Sequence, residues 1–269
     1  MSPVSGRTID TFHVHRPWME TDATTAVTPQ SWGQIKDGAR IEETRHGWSA
    51  GATELASRMT PLIILGSGPH AREMADIVAQ INRHVPTWDL LGYLVPVSQS
   101  DQRGKPLIGD HCCLGTYDAL DEFADARLAW SFGCLSPTFP RERVINLVSP
   151  SAFVASTAQL GTGCVIYPGC FVGHDAEIGD RLFALPGATI NHDDVLGDDV
   201  TMASSATLAG QVTVGDGCYL GQSCTVRQEL RIGPGAMIGM GAVVISDVSP
   251  KSVMVGNPAR HLRDRDDGG

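Results

Sequence analysis

Between Val148 and Val244 the chain obeys one rule: every sixth residue is apolar. The series is Val148, Val154, Leu160, Ile166, Val172, Ile178, Ala184, Ile190, Leu196, Met202, Leu208, Val214, Leu220, Val226, Ile232, Ile238 and Val244, seventeen positions without an insertion. With about half of all residues apolar in an average protein, such a run is remote by chance. The next residue is often Gly, as at Gly161, Gly173, Gly179, Gly197, Gly215, Gly221, Gly233 and Gly239. The residue four places on is usually small or apolar, as at Cys164, Cys170, Ala176, Ala188 and Ala206. A period of six fits neither one helix nor one half-buried strand. It is the hexapeptide signature of a parallel β-helix. Three hexapeptides form one triangular coil, so residues eighteen apart stack on one face, with coils ~4.8 Å apart. The apolar residue points inward, the small one fills the space the coil leaves, and the Gly is expected to supply a corner with φ > 0.

The rest of the chain divides around this array. Residues 1–59 are polar, with scattered Trp18, Trp32 and Trp48 and no sustained period. Their His13 and His15 resemble the HxH pair of metal-dependent amidohydrolases, but that fold needs a barrel of ~250 residues, which the sequence lacks. They read as a flexible or partly docked extension, dispensable for assembly and turnover. Residues 60–147 read as a small Rossmann-like α/β domain. A strand, Pro61 to Leu65, runs into Gly66-Ser67-Gly68-Pro69-His70 and a helix over Ala71 to Ile81. Backbone amides at such a turn and at the helix N-terminus attract phosphate. The acidic ribose partner of a redox dinucleotide has no clear counterpart: Asp89 has the spacing but precedes the second strand, Leu90 to Val95. Helices are expected around Tyr117 to Phe123 and Pro140 to Leu147, with a strand near Leu128 to Phe132. Residues 148–263 form the β-helix and its closing tail.

A formal net charge of −10 argues against a nucleic-acid or membrane-surface binder. No apolar run is long enough to span a bilayer, and no signal core opens the sequence. Of seven cysteines, Cys164, Cys170, Cys218 and Cys224 occupy the small inward position. They read as reduced core residues, and Cys112-Cys113 lacks a second CxxC for zinc. A cytoplasmic setting follows.

Few polar side chains in the repeat look reactive. His174 and His192 are eighteen apart, and Gly210 is eighteen further on, so a His, a His and a Gly line one corner. Each His precedes an Asp, Asp175 and Asp193, and Asn191 precedes His192. This arrangement suits acyl transfer. A neutral imidazole takes the proton from an attacking amine or hydroxyl, an adjacent Asp orients it, and a backbone N–H at Gly210 meets the thioester oxygen. Two other readings stand beside it: solvated turns that carry histidines, and a metal held by His174 and His192.

A strand-Gly66-Ser67-Gly68-Pro69-His70-Ala71 unit joined to this array resembles the sialic-acid O-acetyltransferase and bacillosamine-pathway N-acetyltransferase family of sugar acetyltransferases. The resemblance covers roughly 61 to 263, with Gly239 to Val248 and Gly256-Asn257-Pro258-Ala259 as its closing motifs. It implies a left-handed parallel β-helix, acetyl-CoA as co-substrate and a sugar acceptor. It implies His192 as general base, Asp193 as its partner and the Gly210 amide at the acetyl carbonyl. Pantetheine would lie near Gly221 and Gly239, and the adenosine end near Arg260 or Arg263. Gly66, Gly68, His70, His174 and Asn191 would bind the acceptor. The family is trimeric, each active site lying between two β-helices. Three departures bear on the acceptor: Leu185-Pro186-Gly187 replaces Asn-Thr-Gly, Thr201 replaces a second His, and Leu94 to Val97 lacks an acidic pair. Rival readings are a different acyl donor, a metal-binding protein of the carbonic-anhydrase type and a non-catalytic scaffold.

Overall fold

A computed structural model describes residues 59–131 and 139–265. The His13/His15 pair and the three tryptophans at 18, 32 and 48 lie outside the described residues. Two-residue strands recur every six residues from Leu147–Val148 to Val243–Val244. They assemble into three parallel sheets that form a β-solenoid. Partners are eighteen residues apart, as in Phe171 with Thr189, Glu177 with Val195 and Phe183 with Thr201. The second residue of each strand is the inward one, buried from Ile166 through Val244. The first members, Val148, Val154 and Leu160, are half-buried, because the first coil has no coil beneath it. At the other end Ser252–Val255 adds parallel to Met237–Ile238, and Arg260–Asp264 folds back antiparallel on it.

The corners differ from the sequence expectation. Positive φ falls three places after the inward residue, at Asp175, Arg181, Asp193, Asp199, Ser205 and Gln211, or at a glycine such as Gly187. The glycines directly after the inward residues serve close approach instead. A β-carbon at Gly161 would stand 2.6 Å from the Gly179 backbone, and one at Gly221 would stand 2.6 Å from the Ile238 oxygen. The next coil passes too near for a side chain, and the left-handed turn lies two residues later.

The inward cysteines sit in the solenoid core as free thiols. Burial pushes the thiols of Cys164 and Cys218 up to about 11 and that of Cys224 to about 12. They stay protonated at neutral pH and offer no nucleophile.

The preceding segment forms a five-stranded sheet. Its strands are β1 (Thr60–Leu65), β2 (Trp88–Val95), β3 (Pro106–Ile108), β4 (His111–Thr116) and β5 (Arg127–Trp130), in the order β3-β4-β2-β1-β5. All pairs are parallel except β3 with β4. One α-helix, α1 (Pro69–His84), buries Ala71, Met74, Ala75, Ile77 and Val78. These residues share one core with Leu147, Val165, Ile166 and Tyr167 of the first coils. The other sheet face packs Ile63, Leu65, Leu94 and Leu128 under Leu120, Phe123 and Val144.

The two further expected helices form only as 3-10 helices, the second over three residues. Tyr117–Phe123 is a 3-10 turn, and only Arg141–Arg143 is helical, again 3-10, within the stretch from Pro140 to Leu147. Seven residues after Gly115 are too few to offset helix nucleation. In the second stretch, extended pairing wins: Val144 bridges Leu128, and the Leu147 N–H bonds to the Cys164 oxygen as the first solenoid rung. Among the described residues the sheet therefore carries an α-helix on one face and short turns on the other. The strand expected near Leu128 to Phe132 forms over Arg127–Trp130, and Phe132 lies outside the described residues.

The junction is built on specific bonds. Trp130 donates its indole N–H to the Gly163 oxygen at 2.8 Å. The Arg181 guanidinium lies 5.8 Å above that ring and bonds both oxygens of Asp199. Asn146 donates to the Gly161 oxygen and accepts from the Cys164 N–H. No helix among the described residues is long and apolar enough to cross a membrane.

Candidate active site

The corner that follows the sheet of Phe171–Val172, Thr189–Ile190 and Thr207–Leu208 carries His174, His192 and Gly210. The stacking forces their positions. Gly173 has no side chain because a β-carbon there would stand 2.7 Å from the His192 nitrogen. The Asp193 N–H bonds to the His174 oxygen, and the Gln211 N–H to the His192 oxygen, both at 3.0 Å.

His192 is exposed, and its Nδ1 lies 2.7 Å from Asp193 Oδ2. With Nδ1–H donating to that carboxylate, Nε2 is the free acceptor. The ring lies directly over Gly210. A β-carbon at 210 would stand 2.5 Å from Cε1 and 2.6 Å from Nε2. Among the described residues nothing accepts the Gly210 N–H, while the Gly210 oxygen accepts from Glu229. The imidazole of His192 thus lies against a residue whose amide has no partner among the described residues. Beyond Gly210 an open groove of about 590 Å³ runs along the next coils, lined by Ala209, Thr225, Arg227, Gln228, Glu229 and Val243.

His174 is one coil back and turned to Thr157, whose Oγ1 lies 3.1 Å from its Nδ1. The same Oγ1 accepts the Asp175 N–H. Asn191 commits one N–H of its side-chain amide to the Leu208 oxygen at 2.6 Å.

Sequence reasoning missed Asp194. It is fully buried. Its Oδ2 accepts the Asn191 N–H at 2.7 Å, and its Oδ1 the Val212 N–H at 2.8 Å. Burial pushes its carboxyl up to about 7, against the pull of those two amides and of His192. The signal was present: 194 is an inward position filled by an acid.

The other singled-out residues lie elsewhere in the chain. Gly221 and Gly239 sit at the opposite edge of the same solenoid face, each pressed against the following coil. A β-carbon at Gly239 would stand 2.9 Å from Val255 Cγ1. Arg260 is exposed at the start of the closing strand, its Nη1 donating to the Ala259 oxygen. Gly66 (φ +115°) donates its N–H to the Leu94 oxygen, and Gly68 caps α1 without a side-chain bond. A side chain at Gly68 would meet open space.

His70 faces the solenoid. Its ring stands 5.4 Å from that of Phe183 and 6.2 Å from that of Tyr167, and Nδ1 lies 2.8 Å from Glu73. Tyr167 also donates its hydroxyl to the His70 oxygen. This group lies over a different solenoid face from His192, so one chain does not bring the two together. No group of three or more His, Cys, Asp or Glu residues with metal-binding geometry occurs among the described residues.

The fold defines a class: a hexapeptide β-solenoid with a small α/β sheet at its amino-terminal end. No protein-family model matches the sequence, and no curated protein matches it. Solved structures do match in fold. The acetyltransferase domain of PglB from Neisseria gonorrhoeae is 22% identical with a TM-score of 0.65, covering 76% of this chain and all of that one. GDP-perosamine N-acetyltransferase from Caulobacter crescentus, in complex with CoA and GDP-perosamine, is 24% identical with a TM-score of 0.65, covering 76% and 97%. WeeI from Acinetobacter baumannii is 22% identical with a TM-score of 0.61, covering 76% and 100%.

Proposed function

We propose that this chain is an acetyl-CoA-dependent acetyltransferase whose acceptor is an amino or hydroxyl group on a sugar, most simply a nucleotide-linked amino sugar. The observation that carries the reading is the His192 ring over Gly210, with Nε2 free and the Gly210 N–H unpartnered. Similarly folded proteins include an acetyltransferase domain solved with acetyl coenzyme A and an N-acetyltransferase solved with CoA and a nucleotide sugar.

The acceptor nitrogen or oxygen attacks the thioester carbonyl carbon. His192 Nε2 takes the acceptor proton, and Asp193 holds the ring and balances the imidazolium charge. The Gly210 N–H stabilises the oxyanion of the tetrahedral intermediate. The C–S bond then breaks, and the thiolate of CoA leaves with a proton returned from the imidazolium. The groove beyond Gly210 suits the pantetheine arm. Gly221 and Gly239, the other residues proposed for the pantetheine path, border the same face at its opposite corner.

A homotrimer reconciles the separation within one chain. The turn at Gly66 and Gly68 of one subunit meets the His192 corner of another, giving acceptor and base a shared site. A cytoplasmic setting matches a co-substrate such as acetyl-CoA. A longer acyl donor on the same scaffold is the alternative.

The test is thiol release from acetyl-CoA with amino sugars, nucleotide-linked amino sugars and sialic acids, comparing wild type with His192→Ala. Turnover that falls ~10²–10⁴-fold in the variant supports the reading. A variant as fast as wild type, or a wild type that binds no acetyl-CoA, overturns it.

A further inference from the structure

The inward row has one break. Four places on from each inward apolar residue, the chain reads Ala, Cys, Val or Leu at every position from 152 to 248 except Asp194. A fully buried carboxylate in an apolar row is costly unless hydrogen-bonded. Both oxygens of Asp194 are bonded, and the donors are informative.

On the face leading to this corner, the residue after each inward position donates its N–H to the next coil. Ala155 bonds Val172, Gly173 bonds Ile190, Ala209 bonds Val226 and Arg227 bonds Val244, at 2.9 to 3.0 Å. Asn191 alone leaves the series. Its N–H turns to Asp194 Oδ2, and its side-chain nitrogen caps the Leu208 oxygen that the N–H would otherwise reach. Thr189 still pairs with Thr207, but the Ile190–Leu208 rung is missing. Every other pair of stacked two-residue strands keeps both rungs. The interruption falls between the coil that bears His192 and the coil that bears Gly210. The second oxygen of Asp194 crosses that gap to the Val212 N–H, two residues beyond Gly210.

We propose that Asp194 is a positioning residue for acyl transfer: its buried carboxylate draws the Asn191 amide off the ladder and ties the His192 turn to the Gly210 turn. It thereby sets the spacing between base and oxyanion donor. The inference rests on the acetyltransferase reading above. Asp194 touches no substrate; it acts through the backbones on either side of the gap. Placement of reacting groups is sensitive on this scale, since a misplacement of about 1 Å costs on the order of 10²-fold in rate.

The test compares wild type, Asp194→Ala and Asp194→Asn, with His192→Ala as the reference for the reaction itself. In a crystal structure of Asp194→Ala the Asn191 N–H is expected to close on the Leu208 oxygen, as its neighbours in the series do. The kcat is expected to fall about 10- to 100-fold, with the KM for acetyl-CoA within about two-fold of wild type. Asp194→Asn, nearly isosteric, keeps one acceptor oxygen for the two amides, so it is expected to lose kcat to a smaller degree. If Asp194→Ala does not fold, the kcat-against-KM split in Asp194→Asn decides. A ladder that stays open in Asp194→Ala overturns the proposal, as does a closed ladder with full kcat. A wild type without turnover defeats the transferase reading and the positioning role with it, whereas the crystal structure separately records whether Asp194 opens the ladder.

Discussion

His192 and Gly210, eighteen residues apart in sequence, are in van der Waals contact: the imidazole occupies the space a β-carbon at 210 would take. The glycine is therefore required by its neighbour rather than by its own backbone, whose φ is not left-handed. Gly210→Ala is expected to push the ring off the amide and lower kcat by about 10²-fold, with acetyl-CoA binding retained. Steady-state kinetics beside calorimetric binding of CoA checks this, and an alanine variant with full kcat would falsify the shared-site reading.

Asp193 holds His192 through Nδ1. Asp193→Asn preserves the size of the side chain but presents an N–H as readily as an oxygen, which favours the tautomer with its proton on Nε2. The base is then blocked. A loss of about 10- to 10⁴-fold in kcat is expected, without a change in melting temperature, because both side chains are more than half exposed. Retained activity across the pH range places the proton acceptor elsewhere.

Asp194 gives stability a pH dependence with a defined sign. Burial raises its carboxyl to about 7, whereas an unfolded chain titrates near 3.9. Between those values the folded protein holds a proton the unfolded chain has released. This contribution is complete below about pH 4, falls as pH rises, and is lost above about 7, by at most roughly 4 kcal/mol. Urea unfolding at pH 5 and pH 8 measures it. Asp194→Asn is expected to flatten the slope; an unchanged slope in that variant assigns it to other groups.

The cysteines give a simpler check. Of the six described, Cys112 is half-buried and the rest are buried. An alkylating reagent applied to the native protein is expected to modify Cys112 and spare Cys164, Cys170, Cys218 and Cys224 until the solenoid unfolds. Peptide mapping after partial alkylation shows the order. Early labelling at Cys218 or Cys224 would mean that the coils open locally.

The junction depends on Trp130. Trp130→Phe removes the indole bond to the Gly163 oxygen and leaves that carbonyl to water. The expected cost is about 1–3 kcal/mol, read as a lower melting temperature. The same variant should keep turnover, because the His192 corner lies on other coils.

Much of this was written in the order of residues. Six-residue spacing fixed the coil length, the inward column and the eighteen-residue stacking that sets His174, His192 and Gly210 in one line. Spacing suffices because a solenoid converts sequence distance directly into position: each coil contacts only its neighbours. The tertiary structure decided what depends on the next coil or on the junction. The glycines after the inward residues proved to be points of close approach, with positive φ displaced to residues such as Asp193, since the clearance between coils is not encoded in either hexapeptide alone. The packing of His70 against Tyr167 and Phe183 exists only once α1 has docked. Asp194 carried no motif, and its importance lies in two amides from different coils. Period is a local property and is legible in one dimension; partners for a buried carboxylate are chosen in three.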